Sequence, residues 1–274
     1  MTPAAQMRGF AAPQTADGRA ALYGPPPWRF EGFVASVFLA VERTRIAALV
    51  PPPLRLADDP IVRLSVLDLV CDYGLGPRFA QDNPDQAQVG EAAVDLLVER
   101  QGRFGLWSPY RWCSRDAVLS AGREFFGRPQ RLGAMSLTRQ PFRGWRSGDT
   151  VSGLVVSGHR AVFEFAITLE QPANDRATAH RLTTYSPIDE ANDHYTQTAL
   201  PHPVVPNQVL RRLYRTRLQG MVANHQWSGI AEVRFGAPEL EPLGEGVPLY
   251  GRWAEESWVM PYPEDVIAVE RAPP

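Results

Sequence analysis

Alternation of apolar and polar positions is the dominant pattern along this chain. The clearest case is residues 160–170, where Ala161, Phe163, Phe165, Ile167 and Leu169 fall on one face of a predicted strand. Residues 150–156 are expected to pair with it across the Ser157-Gly158-His159 turn. Residues 61–71 are rich in Val, Ile and Leu on both faces, which predicts a central strand, and Gly74-Leu75-Gly76 ends it. Residues 91–99 set Val94, Leu96 and Val98 opposite Asp95, Leu97 and Glu99 and predict a second strand. Ala231, Val233 and Phe235 mark another, and residues 266–270 a last one.

Helical signals are short. Residues 41–50 place Ile46, Leu49 and Val50 on one side before Pro51-Pro52-Pro53 stops the hydrogen-bond ladder. Residues 116–126 predict a second helix, with Ser114 as the capping hydroxyl. The polar run 78–88 reads as a loop. Residues 209–222 carry Leu210, Leu213, Tyr214, Leu218, Met221 and Val222 at spacings that suit a helix. Several strands with two or three short helices predict an α+β domain on a strongly curved antiparallel sheet, with no repeat or linker to divide it.

Composition narrows the class. In 274 residues, 44% hydrophobic, there is ample material for a core. The formal charge of −2 argues against a nucleic-acid surface, and Arg211-Arg212-Leu213-Tyr214-Arg215 then reads as a solvated face. Cys71 and Cys113 are too few for a disulfide scaffold, so a cytoplasmic setting is expected. Residues 1–27 lack a signal-like apolar run and contain Pro25-Pro26-Pro27, which predicts a flexible or surface-draped arm before a single domain over 28–274. No run approaches the length needed to span a bilayer, so no membrane partner is expected. His159, His180, His194, His202 and His225 form no metal-binding spacing, and no nucleotide fingerprint occurs, so neither metal nor cofactor is expected. Cys113 with a distant histidine is the remaining nucleophile candidate, but a buried structural thiol is the commoner state.

The segment Ala121-Gly122-Arg123-Glu124-Phe125-Phe126-Gly127-Arg128-Pro129-Gln130-Arg131-Leu132-Gly133 resembles the signature of the acetoacetate decarboxylase family. So do Leu49-Val50-Pro51-Pro52-Pro53-Leu54, Asp59-Pro60-Ile61-Val62-Arg63, Gly74-Leu75-Gly76, Trp227-Ser228-Gly229 and Pro242-Leu243 to Val247-Pro248, in the family's order. The resemblance implies a cone-shaped antiparallel β-barrel with short flanking helices, often a homo-oligomer, and favours a strand over a helix for residues 209–222. It also implies decarboxylation of a β-keto acid through an imine with the first lysine of a Pro-Lys-Lys motif. Here Gln130 and Arg131 follow Pro129, and no lysine occurs anywhere among the 28 basic residues. An amide cannot form an imine, and a guanidinium stays protonated with a pKa above about 12.

Two readings remain open for each surviving site residue. Aligned without gaps, Glu91 falls on the glutamate that the family places beside its reactive lysine. It is either a proton relay or a strand-edge carboxylate paired with an arginine. Arg128 is either an inward cation for a carboxylate or enolate, or an ordinary solvated side chain. Gln130 would orient a carbonyl, with Arg131 and Arg29 as candidate substrate-binding residues, and Trp112 and Tyr110 either line the pocket as further binding residues or are simply core, the commoner state of such aromatics. The expectation is an enzyme of lyase type acting on an oxo-acid or polyketide-like small molecule by non-covalent enolate chemistry, in specialised metabolism. A non-catalytic small-molecule-binding barrel and a lysine-independent β-keto acid decarboxylase are the alternatives.

Overall fold

The computed structural model describes residue 10 and residues 15–18, 20–58, 61–173, 193–201, 209–244 and 246–272. One fourteen-stranded sheet organises them. In chain order its strands are β1 (Trp28–Ala40), β2 (Arg55–Leu56), β3 (Ile61–Cys71), β4 (Gln88–Arg100), β5 (Arg103–Cys113), β6 (Gln130–Leu132) and β7 (Ala134–Leu137). Next come β8 (Thr150–Ser157), β9 (Arg160–Pro172), β10 (Asp193–Pro201), β11 (Val209–Arg217), β12 (Gln219–Phe235), β13 (Val247–Met260) and β14 (Glu264–Ala272). Among the described residues four short α-helices interrupt them: α1 (Arg43–Ile46), α2 (Phe79–Asp82), α3 (Pro84–Ala87) and α4 (Asp116–Ser120).

The hydrogen-bonded path runs β14-β11-β10-β5-β4-β3-β1-β13-β12-β9-β8-β7, with β2 attached to β4 and β6 to β5. The expected barrel is therefore a strongly curved open sheet, because among the described residues no ladder joins β7 to β14. It is also mixed rather than purely antiparallel, since β5 meets both β10 and β6 in parallel. Curvature folds the β7 end back by packing instead: the Met135 side chain of β7 lies against Gly90 of β4.

β3 occupies the centre that its two apolar faces predict, between β1 and β4. Alternation divides its side chains. Val62, Leu64 and Val66 join Ala92, Val94 and Leu96 of β4 and Phe163, Phe165 and Ile167 of β9 in the largest core. The opposite face carries two smaller apolar clusters, one around Trp28, Leu69, Cys71, Tyr73 and α4, the other around Phe38, Leu97, Leu106 and Tyr250. The polar site lies between those two clusters.

Several expectations need correction. Residues 78–88 hold α2 and α3 rather than a plain loop. Ser114 does not cap α4: its Oγ accepts from the Gly90 N–H at 2.8 Å, and the Asp116 carboxylate takes the Ala117 N–H instead. The helix expected to reach Phe126 is α-helical only to Ser120, then widens into a π-helical turn over Ala121–Phe125, closed by Phe126 N–H to Ala121 O at 3.0 Å. Residues 209–222 are extended, as the resemblance favours. Most of the N-terminal arm, with Asp59, Pro60, His180 and His202, lies outside the described residues. Near its end the arm is packed down: Tyr23 is buried edge-on against Trp28, and Gly24 N–H bonds Tyr73 O at 2.9 Å. No helix among the described residues is long and apolar enough to cross a membrane.

Gly32, opposite Leu69 and Glu256 in the central ladder, has φ +155°, and a Cβ there would lie 2.2 Å from Asp68 O. Gly32→Ala is expected to destabilise the fold by at least ~2 kcal/mol in urea denaturation, through strain and displacement of β3. Gly102→Asn, at a turn with φ +75° and open space around it, should stay within about 0.5 kcal/mol of the parent.

Candidate active site

Register builds the cavity. Across the sheet, Ser36 of β1, Ser65 of β3, Ala93 of β4 and Arg111 of β5 stand side by side. Ser65 and Ala93 are small, so they leave a depression in the sheet face. Leu67 and Glu91 border it on one side, Arg63 and Asp95 on the other. Phe30 and Val34 of β1, Glu256, Trp258 and Met260 of β13, and Leu218 and Met221 at the β11–β12 hairpin complete the wall. The space is about 80 Å³, several times what one water needs.

The π-helical turn delivers the remaining cation. After it, Gly127 adopts φ +66°, and Arg128 N–H bonds Gly122 O at 2.7 Å, which turns the Arg128 side chain down into the cavity. Arg123 braces the same segment by donating to Gln130 O at 3.1 Å.

The charges are distributed unequally. Arg111 Nη2 donates to Glu91 Oε2 at 2.8 Å, and its Nη1 donates to Ser108 Oγ at 3.2 Å. Asp95 accepts from Ser108 Oγ at 2.5 Å and from Arg63 Nε and Nη2 at 3.1 and 2.9 Å. Glu256 pairs with Arg252 at 2.5 Å. Arg128 is 8% exposed, yet its guanidinium touches only Met260 Sδ at 3.1 Å and the Phe126 ring at 5.3 Å, with no carboxylate partner among the described residues. Among the described residues three arginines line the cavity with three carboxylates, one of them already neutralised by Arg252, so one positive charge is left over among them.

This field perturbs the titrating groups. Burial pushes the Asp95 carboxyl up, but Arg63 and Arg111, with His194 and the Ser108 hydroxyl, outweigh it and hold the group below its ordinary range. Burial and the neighbouring Arg111 pull Arg128 down to about 10, still a cation at neutral pH. Burial and then Arg128 pull His194 down to about 3, leaving a neutral imidazole in the cavity.

Of the residues expected from sequence, Glu91 and Arg128 meet in this cavity. Gln130 is adjacent: it is the register neighbour of Arg111 and wholly buried, but it is not among the lining residues. Its amide lies against Gly122, where a Cβ would fall 1.4 Å from Oε1, and neither amide atom has a hydrogen-bond partner among the described residues. The four expected substrate-binding residues lie elsewhere. Arg131 is largely exposed and bonds Glu239 at 2.8 Å, while Arg29 pairs with Asp72 at 3.2 Å. Trp112 is buried in the large core against Phe163, with Tyr110 stacked beside it. Period two explains all four, because each flanks a residue that points toward the cavity side: Arg29 beside Phe30, Tyr110 and Trp112 beside Arg111, Arg131 beside Gln130.

Sequence reasoning missed Arg63, Asp95, Ser108, Arg111, His194 and Glu256. Alternation already set Asp95 apart from Val94 and Leu96 and placed it on the face of Glu91. Arg111 stands between two aromatic residues of β5, a strand whose apolar positions do not alternate cleanly. Among the described residues no three His, Cys, Asp or Glu side chains cluster in a way that could hold a metal ion.

Comparison with known proteins gives a consistent result. A family model described as acetoacetate decarboxylase matches residues 11–259. An acetoacetate decarboxylase-like enzyme from Sphingomonas wittichii RW1 superposes with TM-score 0.82 at 20% identity, covering 95% of this chain and 99% of that one. The enduracididine biosynthesis enzyme MppR, in a structure described as complexed with pyruvate, gives TM-score 0.79 at 19% identity over 96% of this chain and 99% of that one. Acetoacetate decarboxylase from Legionella pneumophila gives TM-score 0.72 at 16% identity over 90% of each chain. No curated protein matches the chain. These identities support a shared fold, whereas the family match runs through β1 into the end of β13 and takes in every cavity residue except Met260. The chain therefore belongs to the acetoacetate decarboxylase family.

Proposed function

We propose that the protein is an enzyme that binds a small oxo-acid as its monoanion and works through a non-covalent enolate. The observation that carries this reading is Arg128, a buried guanidinium facing the cavity without a carboxylate partner among the described residues. An isolated buried cation is costly, and a bound carboxylate relieves that cost with charge-assisted hydrogen bonds. The single surplus positive charge favours one negative charge on the ligand. The small volume and the apolar wall of Phe30, Trp258 and Met260 favour a compact substrate. MppR, described in complex with the 2-oxo acid pyruvate, offers a parallel for the ligand class.

The chemistry is limited to what the chain can supply. A Schiff base needs a neutral primary amine, and the chain has no lysine; at the motif position stands the Gln130 amide, packed against Gly122. Fixed positive charge is the remaining resource. With the substrate carboxylate on Arg128, the guanidinium of Arg111 adds charge that stabilises an adjacent enolate oxygen. Glu91, bonded to Arg111, is the carboxylate placed to relay a proton to and from that oxygen. Gln130, behind Arg111 on β6, supports its position rather than touching substrate.

Three outcomes are expected. Arg128→Met should weaken pyruvate binding by about 10- to 150-fold in calorimetry, the loss of a charged hydrogen-bond partner worth about 1.5–3 kcal/mol, with Arg131→Gln within about twofold of the parent. An unchanged affinity in Arg128→Met would remove the basis of the reading. Glu91→Gln should lower turnover about 10²- to 10⁴-fold while the dissociation constant changes little. Borohydride reduction in the presence of pyruvate should leave the protein mass unaltered, and a reduced adduct in the mass spectrum would show imine chemistry after all.

A further inference from the structure

β10 meets β5 through a short parallel bridge in which His194 lies opposite Leu106 and Tyr195 opposite Trp107. Both neighbours of His194 are anchored. Asp193 is buried, and its carboxylate accepts from Arg217 Nε and Nη2 at 2.6 and 2.9 Å. Tyr195 is buried in the large core on the other face of the sheet. Because side chains alternate, those two anchors aim the imidazole between them into the cavity, where it joins Arg63, Asp95, Arg111 and Arg128.

Among the described residues four groups lining the cavity can accept a proton: Glu91, Asp95, Glu256 and His194. Each carboxylate is paired with an arginine, at 2.8, 2.9 and 2.5 Å respectively, and Glu91, held on Arg111, serves the enolate oxygen rather than the carbon. The imidazole alone has no hydrogen bond to any described residue. We propose that His194 is the catalytic base that removes the proton from the carbon next to the substrate's carbonyl. This rests on the reading that Arg128 holds an oxo-acid carboxylate. In the step, an imidazole nitrogen lone pair takes the proton and the C–H pair becomes the carbon–carbon double bond. The carbonyl π pair moves to oxygen, giving an enolate beside Arg111 and an imidazolium at His194. Return of a proton from the imidazolium to carbon reverses it, so no oxidant or co-reactant is required.

The surrounding charges make this base dependent on its substrate. Burial depresses the imidazole most; Arg128 from the segment after the π-helical turn, Arg111 from β5 and Arg63 from β3 add to it, and Asp95 from β4 opposes them. Buried among these cations, the ring is neutral but a weak base. A carboxylate bound at Arg128 cancels the strongest of the opposing charges and raises its basicity as the substrate arrives.

The test uses the full chain with pyruvate in D₂O. Loss of the methyl proton signal by NMR reports enolisation, and calorimetry reports binding. The parent protein should exchange the methyl protons. His194→Gln should bind pyruvate within about threefold of the parent and exchange about 10²- to 10⁴-fold more slowly. His194→Ala should behave likewise and regain part of its exchange when free imidazole is added, which a purely structural role would not produce. Exchange by His194→Gln at the parent rate with unaltered affinity would overturn the assignment while leaving the Arg128 site intact. Binding without exchange in the parent would also overturn it. If the parent binds no pyruvate, the oxo-acid reading fails and this proposal falls with it.

Discussion

The site depends on a row of small side chains set among charged ones in the middle of a sheet. Ser65 and Ala93 sit between Leu67–Glu91 and Arg63–Asp95, and the space they leave unfilled is what Arg111 and Arg128 enter. Burying charges this deeply is unfavourable unless each finds a partner, and desolvation can outweigh the Coulomb attraction even then. The pairs Arg111–Glu91 and Arg63–Asp95 are thus better understood as holding orientation than as adding stability. They span β3, β4 and β5, so each strand's register is tied to the others through the cavity itself. A slip of one residue would turn every one of these groups into the large apolar core.

Against that fixed background, Arg128 is the exception. It comes from outside the sheet, on the segment just past the π-helical turn, and that turn depends on Gly122, since the buried Gln130 amide occupies the place of a Cβ. π-helical turns of this kind recur at functional sites because the extra residue re-aims the side chains beyond it. Gly122, Arg123, Gly127 and Gln130 together form the mount for one cation. Burial, with Arg111 beside it, depresses the pKa of Arg128, and burial, with Arg128 across the cavity, depresses that of His194.

Much of the sheet was legible because strands that bury one or both faces carry their periodicity openly. β3, β8 and β9 fall close to where alternation puts them. β1, β5 and β13 escaped because their cavity faces are not uniformly apolar: Gly32, Arg111 and Glu256 interrupt the pattern at or beside the positions that form the site. Ser114 looked like a helix cap because local spacing cannot reveal that the Gly90 N–H, 24 residues earlier, needed its hydroxyl more. The four residues expected to bind substrate each stand one position away from a residue on the cavity face. Motif alignment supplied the neighbourhood, but only the pleat assigns a side.

What the sequence by itself determined is chemical. Without a lysine, no side chain of this protein can form an imine, and that holds whatever the fold. The motif order also determined the family and a strongly curved sheet with few short helices. That Arg128 would be buried without a carboxylate partner among the described residues was decided only by tertiary structure. Pairing is a matter of distances between strands far apart in the chain, and the composition records the charges without recording who stands next to whom.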